Sequence, residues 1–172
     1  MTTKNLCLAS VFAALVFVVT RFIQIPIPLG YFNVGNCVIL LFCYIMPCPY
    51  GILIGSIGSA LADLTSFPEW TVPTLIIKAL MPLLFYFISN IIKKGEFVKY
   101  IIAASISMLI PFAGYTFAGA LMYGSLEAGL AQIPGLALEY AANLVLFSVL
   151  LIGAKNAGLR RLYERPESQP SK

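Results

Sequence analysis

The chain has 172 residues, 60% hydrophobic and only 10% charged, with eleven Lys and Arg against seven Asp and Glu for a formal net charge of +4. A soluble domain carries about 25% charged residues, and mean hydropathy here is +0.92, so lipid is the expected solvent and nucleic acid is not an expected partner. At about 20 apolar residues per spanning helix, the length predicts an all-α bundle of six transmembrane helices: one membrane domain over residues 1–160 and a polar cytoplasmic tail over 161–172.

Several chemistries are excluded at once. There is no histidine, which removes imidazole proton shuttles and His-ligated metals. Cys7, Cys37, Cys43 and Cys48 contain no C-x-x-C pair and are expected as apolar filler, so no metal or cofactor is anticipated. The chain carries no G-x-x-x-x-G-K-[ST] phosphate-binding loop, and ATP-driven work would have to come from a partner.

The predicted spans are 6–23, 34–46, 50–66, 72–92, 98–123 and 130–154. The apolar run after Lys4 passes through Arg21, Phe22 and Ile23 to Pro26 and Pro28 without an A-x-A cleavage site, so it counts as a span and not a signal peptide. In it Ala9 and Ala13 stack one turn apart, a surface on which another helix can approach closely. The second span is short for a bilayer, and its outer end, residues 31–36, is expected as irregular backbone covered by protein or a cavity. Gly51, Gly55 and Ser59, with Ala62 following, give the third span a small-residue face suited to internal packing. Pro111 and Gly114 predict a kink in the fifth span, and Pro134-Gly135 a separate outermost turn in the sixth.

Lys4, Lys93, Lys94, Lys99, Lys155, Arg160, Arg161, Arg165 and Lys172 all fall on one side of an even number of spans. By the bias of basic residues that side is the cytoplasm, with both termini there.

Ionisable residues inside spans mark functional sites by default, and Asp63, Lys78 and Glu139 qualify. Lys78 has Thr71 and Thr74 on its own face; Glu139 has Gln132 and Asn143; Tyr115, Gly119 and Tyr123 form a third stripe. Polar stripes in lipid must face protein or cavity, so these are expected to converge on an outward-opening pocket with Asn33, Asn36 and Trp70 at its rim. Tyr31, Phe32, Trp70, Tyr115 and Tyr123 would stack on a planar ligand. The competing readings are an ion pair of Lys78 with Asp63 or Glu139 that merely ties helices together, and an interfacial aromatic belt.

These residues carry a resemblance. Ala9-x-x-x-Ala13, Gly30-Tyr31-Phe32-Asn33-Val34-Gly35-Asn36, Gly55-Ser56-Ile57-Gly58-Ser59-Ala60-Leu61-Ala62-Asp63-Leu64 and Trp70-x-x-Pro73-Thr74-Leu75-Ile76-Ile77-Lys78-Ala79-Leu80, with a weaker match at 120–124 and 133–135, resemble the S components of energy-coupling factor (ECF) transporters. Those are the substrate-binding membrane subunits that capture vitamins and vitamin precursors. The resemblance implies a six-helix fold with cytoplasmic ends in a bacterial cell membrane. It also implies an ECF transmembrane coupling subunit docking on Ala9 and Ala13, two cytoplasmic ATPase subunits, and no enzymatic activity. Asn36 departs from the pattern, since related chains often carry Asp there.

The motif set is similar to the branch assigned to vitamin B6 forms, hydroxymethylpyrimidine and, more loosely, riboflavin. A cation and a carboxylate facing one cavity rank a B6 vitamer first, hydroxymethylpyrimidine second and riboflavin third. The substrate-binding set is Asn33, Asn36, Trp70, Lys78, Tyr115, Tyr123, Glu139 and Asn143. A self-sufficient ion-coupled carrier is the alternative, although its charged path would be expected along the whole span. A membrane enzyme using Asp63 and Glu139 lacks a recognisable nucleophile with an adjacent base.

Overall fold

A computed structural model describes residues 3–27, 30–93 and 95–160. Lys94, the Arg161, Arg165 and Lys172 part of the basic count, and the polar tail lie outside the described residues.

The apolar run after Thr3 forms α1 (Thr3–Phe22), about 30 Å long at 1.5 Å per residue. An antiparallel hairpin follows, β1 (Gln24–Ile27) and β2 (Gly30–Asn33), with Gln24 opposite Asn33 and Pro26 opposite Tyr31. Residues 31–36 were expected as irregular backbone, and here they are a strand and a helix start. Pairing satisfies the strand's peptide groups, while Gly35 and Asn36 already belong to α2 (Gly35–Ile45).

Eight of the eleven residues of α2 are buried. The helix is flanked by α1, α3, α4 and α8, so its length need not match the bilayer. Pro47 and Pro49 stop it, and α3 (Tyr50–Ser66) returns. A 3-10 turn at Pro68–Trp70 leads into α4 (Thr71–Ile91). Gly55 lets α3 meet α4 and α2 closely: a Cβ there would sit 3.1 Å from the Lys78 carbonyl and 2.8 Å from Ile39 Cγ2. Gly58 does the same for α1, where a Cβ would come within 2.6 Å of the Ala13 carbonyl.

The long fifth span is two helices, α5 (Glu96–Ser107) and α6 (Leu109–Met122), broken at Met108. Pro111 has no N–H to give the carbonyl four residues before it, so the ladder fails one turn ahead of the proline. The sixth is likewise divided into α7 (Leu126–Ala131) and α8 (Ile133–Asn156), with Gln132 between them.

Among the described residues, four helical stretches are long and apolar enough to cross a membrane: Thr3–Phe22, Pro68–Ile91, Glu96–Met122 and Leu126–Asn156. Their outer faces expose Val11, Val18, Ile76, Phe87, Phe117, Leu121, Val145 and Val149, an apolar girdle that suits lipid and not water. The core lies toward the end of the bundle that carries Glu96 and Lys155. There Phe85 meets Phe147 edge-on at 6.1 Å and stacks on Tyr100 at 5.8 Å, and Tyr44 stands edge-on to Tyr100 at 5.0 Å.

Candidate functional site

At the opposite end of the bundle the interior is polar. Lys78, seven residues into α4, and Glu139, six residues into α8, sit about 10.5 and 9 Å below their helix starts, at similar depth. Both are buried, Lys78 to 1% exposure and Glu139 to 4%. They do not form a direct ion pair. Asn36 stands between them, accepting from Lys78 Nζ on its Oδ1 and donating Nδ2 to Glu139 Oε1 at 2.9 Å. A side-chain amide can face an ammonium with its acceptor and a carboxylate with its donor at the same time. In place of the direct ion pair of the competing reading, the three side chains form a relay.

An aromatic wall borders the relay. Lys78 Nζ lies 5.4 Å from the centre of the Tyr115 ring, in cation–π range. The Tyr115 hydroxyl bonds Thr74 Oγ1 at 3.0 Å, and Trp70 meets Tyr115 edge-on at 5.8 Å. Tyr123 reaches Trp70 with ring centres 6.4 Å apart but is itself 43% exposed, a position at the rim.

Asn33 and Asn143 bond backbone groups. Asn33 Oδ1 accepts the Gly35 N–H at 2.8 Å. Asn143 Oδ1 accepts the Cys37 N–H at 2.9 Å, and its Nδ2 donates to the carbonyls of Asn33 and Glu139 at 2.8 and 2.9 Å. Together they satisfy N–H groups that open α2, which would otherwise be orphaned, and they pin α2 to α8. Their amides hold Asn36 in place beside Glu139.

Asp63, the third buried ionisable residue, accepts a hydrogen bond from the Tyr31 hydroxyl, whose ring stacks on Phe67 at 5.4 Å. Gln24 Nε2 donates to Ser66 Oγ at 3.3 Å, so both strands of the hairpin are latched to the end of α3. Burial first, and the Asp63 carboxylate second, push the Tyr31 hydroxyl above its ordinary range; it remains a donor at neutral pH. Tyr31 stood out in the sequence only as an aromatic; this polar role carried no signal, because Asp63 is 32 residues away.

A small space of about 10 Å³, room for about one water, borders Asn36, Glu139, Pro111 and Tyr140. Ala9 and Ala13 lie elsewhere, in an apolar groove of about 500 Å³ between α1 and α3 that also involves Leu53, Ile57 and Leu61.

The family described as "ECF-type riboflavin transporter, S component" matches residues 1–156. An uncharacterized protein of Pyrococcus woesei is 42% identical over 65 residues, covering 37% of this chain and 44% of that protein, so the match spans under half the length of that curated relative. In fold, the chain is similar to a solved S component of a bacterial ECF transporter, with a TM-score of 0.69 at 18% identity, covering 91% of this chain and 98% of the other. With the match running over nearly all of the described helices, the chain belongs to the family of ECF-type transporter S components, a family of membrane transporter subunits and not of enzymes.

Proposed function

We propose that the chain is the substrate-binding subunit of an ECF-type importer and that its ligand is a single-ring nitrogen heterocycle, a vitamin B6 form first and hydroxymethylpyrimidine second. The observation that carries this reading is the relay of Lys78, Asn36 and Glu139 beside the Tyr115 ring. A pyridoxine-type ring offers a phenolic oxygen to the ammonium and a ring nitrogen to the carboxylate. Asn36 can turn either end of its amide to such a ligand when the relay opens. One cation against two carboxylates, Asp63 and Glu139, also favours a ligand that brings donors or positive charge. Riboflavin, named in the family's description, ranks third because a three-ring system needs more room beside the buried Trp70 and half-buried Tyr115.

In this reading six helices span the membrane, the short α2 being sheltered by its neighbours, and both termini face the cytoplasm of a bacterial cell. The hairpin and the Pro68–Trp70 turn then face outside, over the ligand. The groove on α1 and α3 receives the transmembrane coupling subunit, which connects to two cytoplasmic ATPases.

Mass spectrometry of small molecules that copurify with the chain, followed by calorimetry with pyridoxine, hydroxymethylpyrimidine and riboflavin, tests the ligand. Lys78→Ala and Glu139→Ala should each weaken the preferred ligand by about 2–5 kcal/mol, 30-fold to several thousand-fold in Kd, while the protein still inserts. Unchanged affinity in both variants would show the relay to be only a strut.

A further inference from the structure

Among the described residues, the buried side-chain polar atoms without a hydrogen-bond partner include Trp70 Nε1, Thr71 Oγ1 and Gln132 Nε2. All three belong to the outer end of the polar interior. Trp70 is 5% exposed and Gln132 3%, so water does not readily satisfy them, and an unpaired buried donor is destabilising. The Gln132 backbone is fixed at the α7–α8 junction: its N–H bonds the Gly129 carbonyl at 3.2 Å, and its own carbonyl accepts from Leu136 N at 3.0 Å. Its amide is therefore held out from a rigid point. A Cβ at Gly119 would collide with Gln132 Nε2 and lie 3.5 Å from Trp70 Cη2; amide and indole press together on one glycine of α6.

We infer that Gln132 and Trp70 are specificity-determining donors that take an exocyclic oxygen, hydroxyl or carbonyl, at the end of the ligand away from Lys78 and Glu139. This rests on the ligand site proposed above and adds its second pole. Gln132 and Glu139 are seven residues apart, two helical turns or about 10.5 Å along α8. A single six-membered ring with one exocyclic oxygen, hydrogen-bonded at each end over about 2.8 Å, bridges that span; three fused rings overrun it. Trp70, whose ring also meets Tyr115 and Tyr123, supplies both a donor and a face. The two poles thus measure the ligand's length as well as its chemistry.

Calorimetry on the purified chain with Gln132→Met and Trp70→Phe tests the assignment; the first keeps bulk and the second an aromatic face, and each removes the donor. The probes are pyridoxine, hydroxymethylpyrimidine and the two deoxypyridoxines that each lack one hydroxymethyl oxygen. Each variant should bind pyridoxine about tenfold more weakly. For one of the deoxypyridoxines the variants and the parent should bind alike, because the oxygen that the donors grip is gone. The ligand-free Gln132→Met protein should melt no lower than the parent, since it loses an orphaned donor. If the parent binds pyridoxine or hydroxymethylpyrimidine and both variants match it within twofold, this inference falls and the proposed function stands. Equal weakening toward pyridoxine and both analogues would overturn it as a structural effect, and a parent that binds neither ligand fells both readings.

Discussion

Asn36 Nδ2 donates to Glu139 Oε1 at 2.9 Å across the α2–α8 contact, with Lys78 on the other end of the same amide. This explains how the chain keeps a lysine and a carboxylate buried without pairing them directly: the amide solvates both. Removing the solvating group from a buried charge is more damaging than removing an ordinary contact.

Asn36→Asp should therefore set two carboxylates face to face with no donor between them. Loss of a hydrogen bond to a charged group costs about 1.5–3 kcal/mol, and for a chain of this size each kcal/mol is about 2–4 °C of melting temperature. Adding Glu139→Gln restores a donor opposite an acceptor with the charge moved by one residue, so the double variant should recover most of the lost Tm in detergent. No recovery would mean that the amide does not act as a donor–acceptor bridge.

Much of this site was legible because helical periodicity is long-lived in sequence. Gln132, Glu139 and Asn143, at spacings of seven and four, announced one stripe of α8, and Lys78 with Thr74 announced the stripe of α4 that meets it. What the stripe could not say is which members turn inward to the backbone. Asn143 bonds the Cys37 N–H and the Asn33 carbonyl, more than a hundred residues away, and only the packed fold brings those groups to it. The hairpin was hidden for a different reason: four-residue strands containing Pro26 are too short for alternation to stand out. The break at Met108 was within reach, since a proline acts on the carbonyl four residues before it and not at its own position.

The Tyr31–Asp63 contact is expected to set how tightly the hairpin closes. Tyr31→Phe removes the donor and should speed hydrogen exchange across residues 24–33 while leaving α8 protected; equal exchange in both proteins would mean that stacking on Phe67 alone holds the hairpin. The pH dependence has a definite sign. The Tyr31 hydroxyl is raised above 10, chiefly by burial and next by Asp63. Its contribution to stability is thus fully present below pH 10 and is lost as the pH climbs above that value toward the folded-state pKa. The parent should lose its melting-temperature advantage over Tyr31→Phe on the alkaline side.

Cys48 is an exposed thiol in the turn between α2 and α3, which the proposed topology places in the cytoplasm. In a Cys7→Ala background a membrane-impermeant maleimide should leave intact cells unlabelled and react once the membrane is opened. Glu69→Cys, exposed at the other end of the bundle, should label in intact cells. Labelling of Cys48 from outside would invert the orientation.

The groove between α1 and α3 separates transport from binding. Ala9 and Ala13 form part of an almost wholly apolar space of about 500 Å³ whose other walls include Leu53, Ile57 and Leu61. Such a surface suits a helix of a membrane partner, because close packing of small residues drives association where lipid supplies no hydrophobic force. Ala9 is six residues from the start of α1, in the half of the helix away from the hairpin, whereas Lys78 and Glu139 occupy the half of the bundle nearest it. Ala13→Trp should bind pyridoxine with the parent's Kd when isolated, yet give background uptake in cells that supply the coupling subunit and ATPases. Normal uptake by this variant would place the coupling contact on another face, and a parallel loss of binding would mean that the groove is internal packing, with α1 displaced from Gly58 of α3.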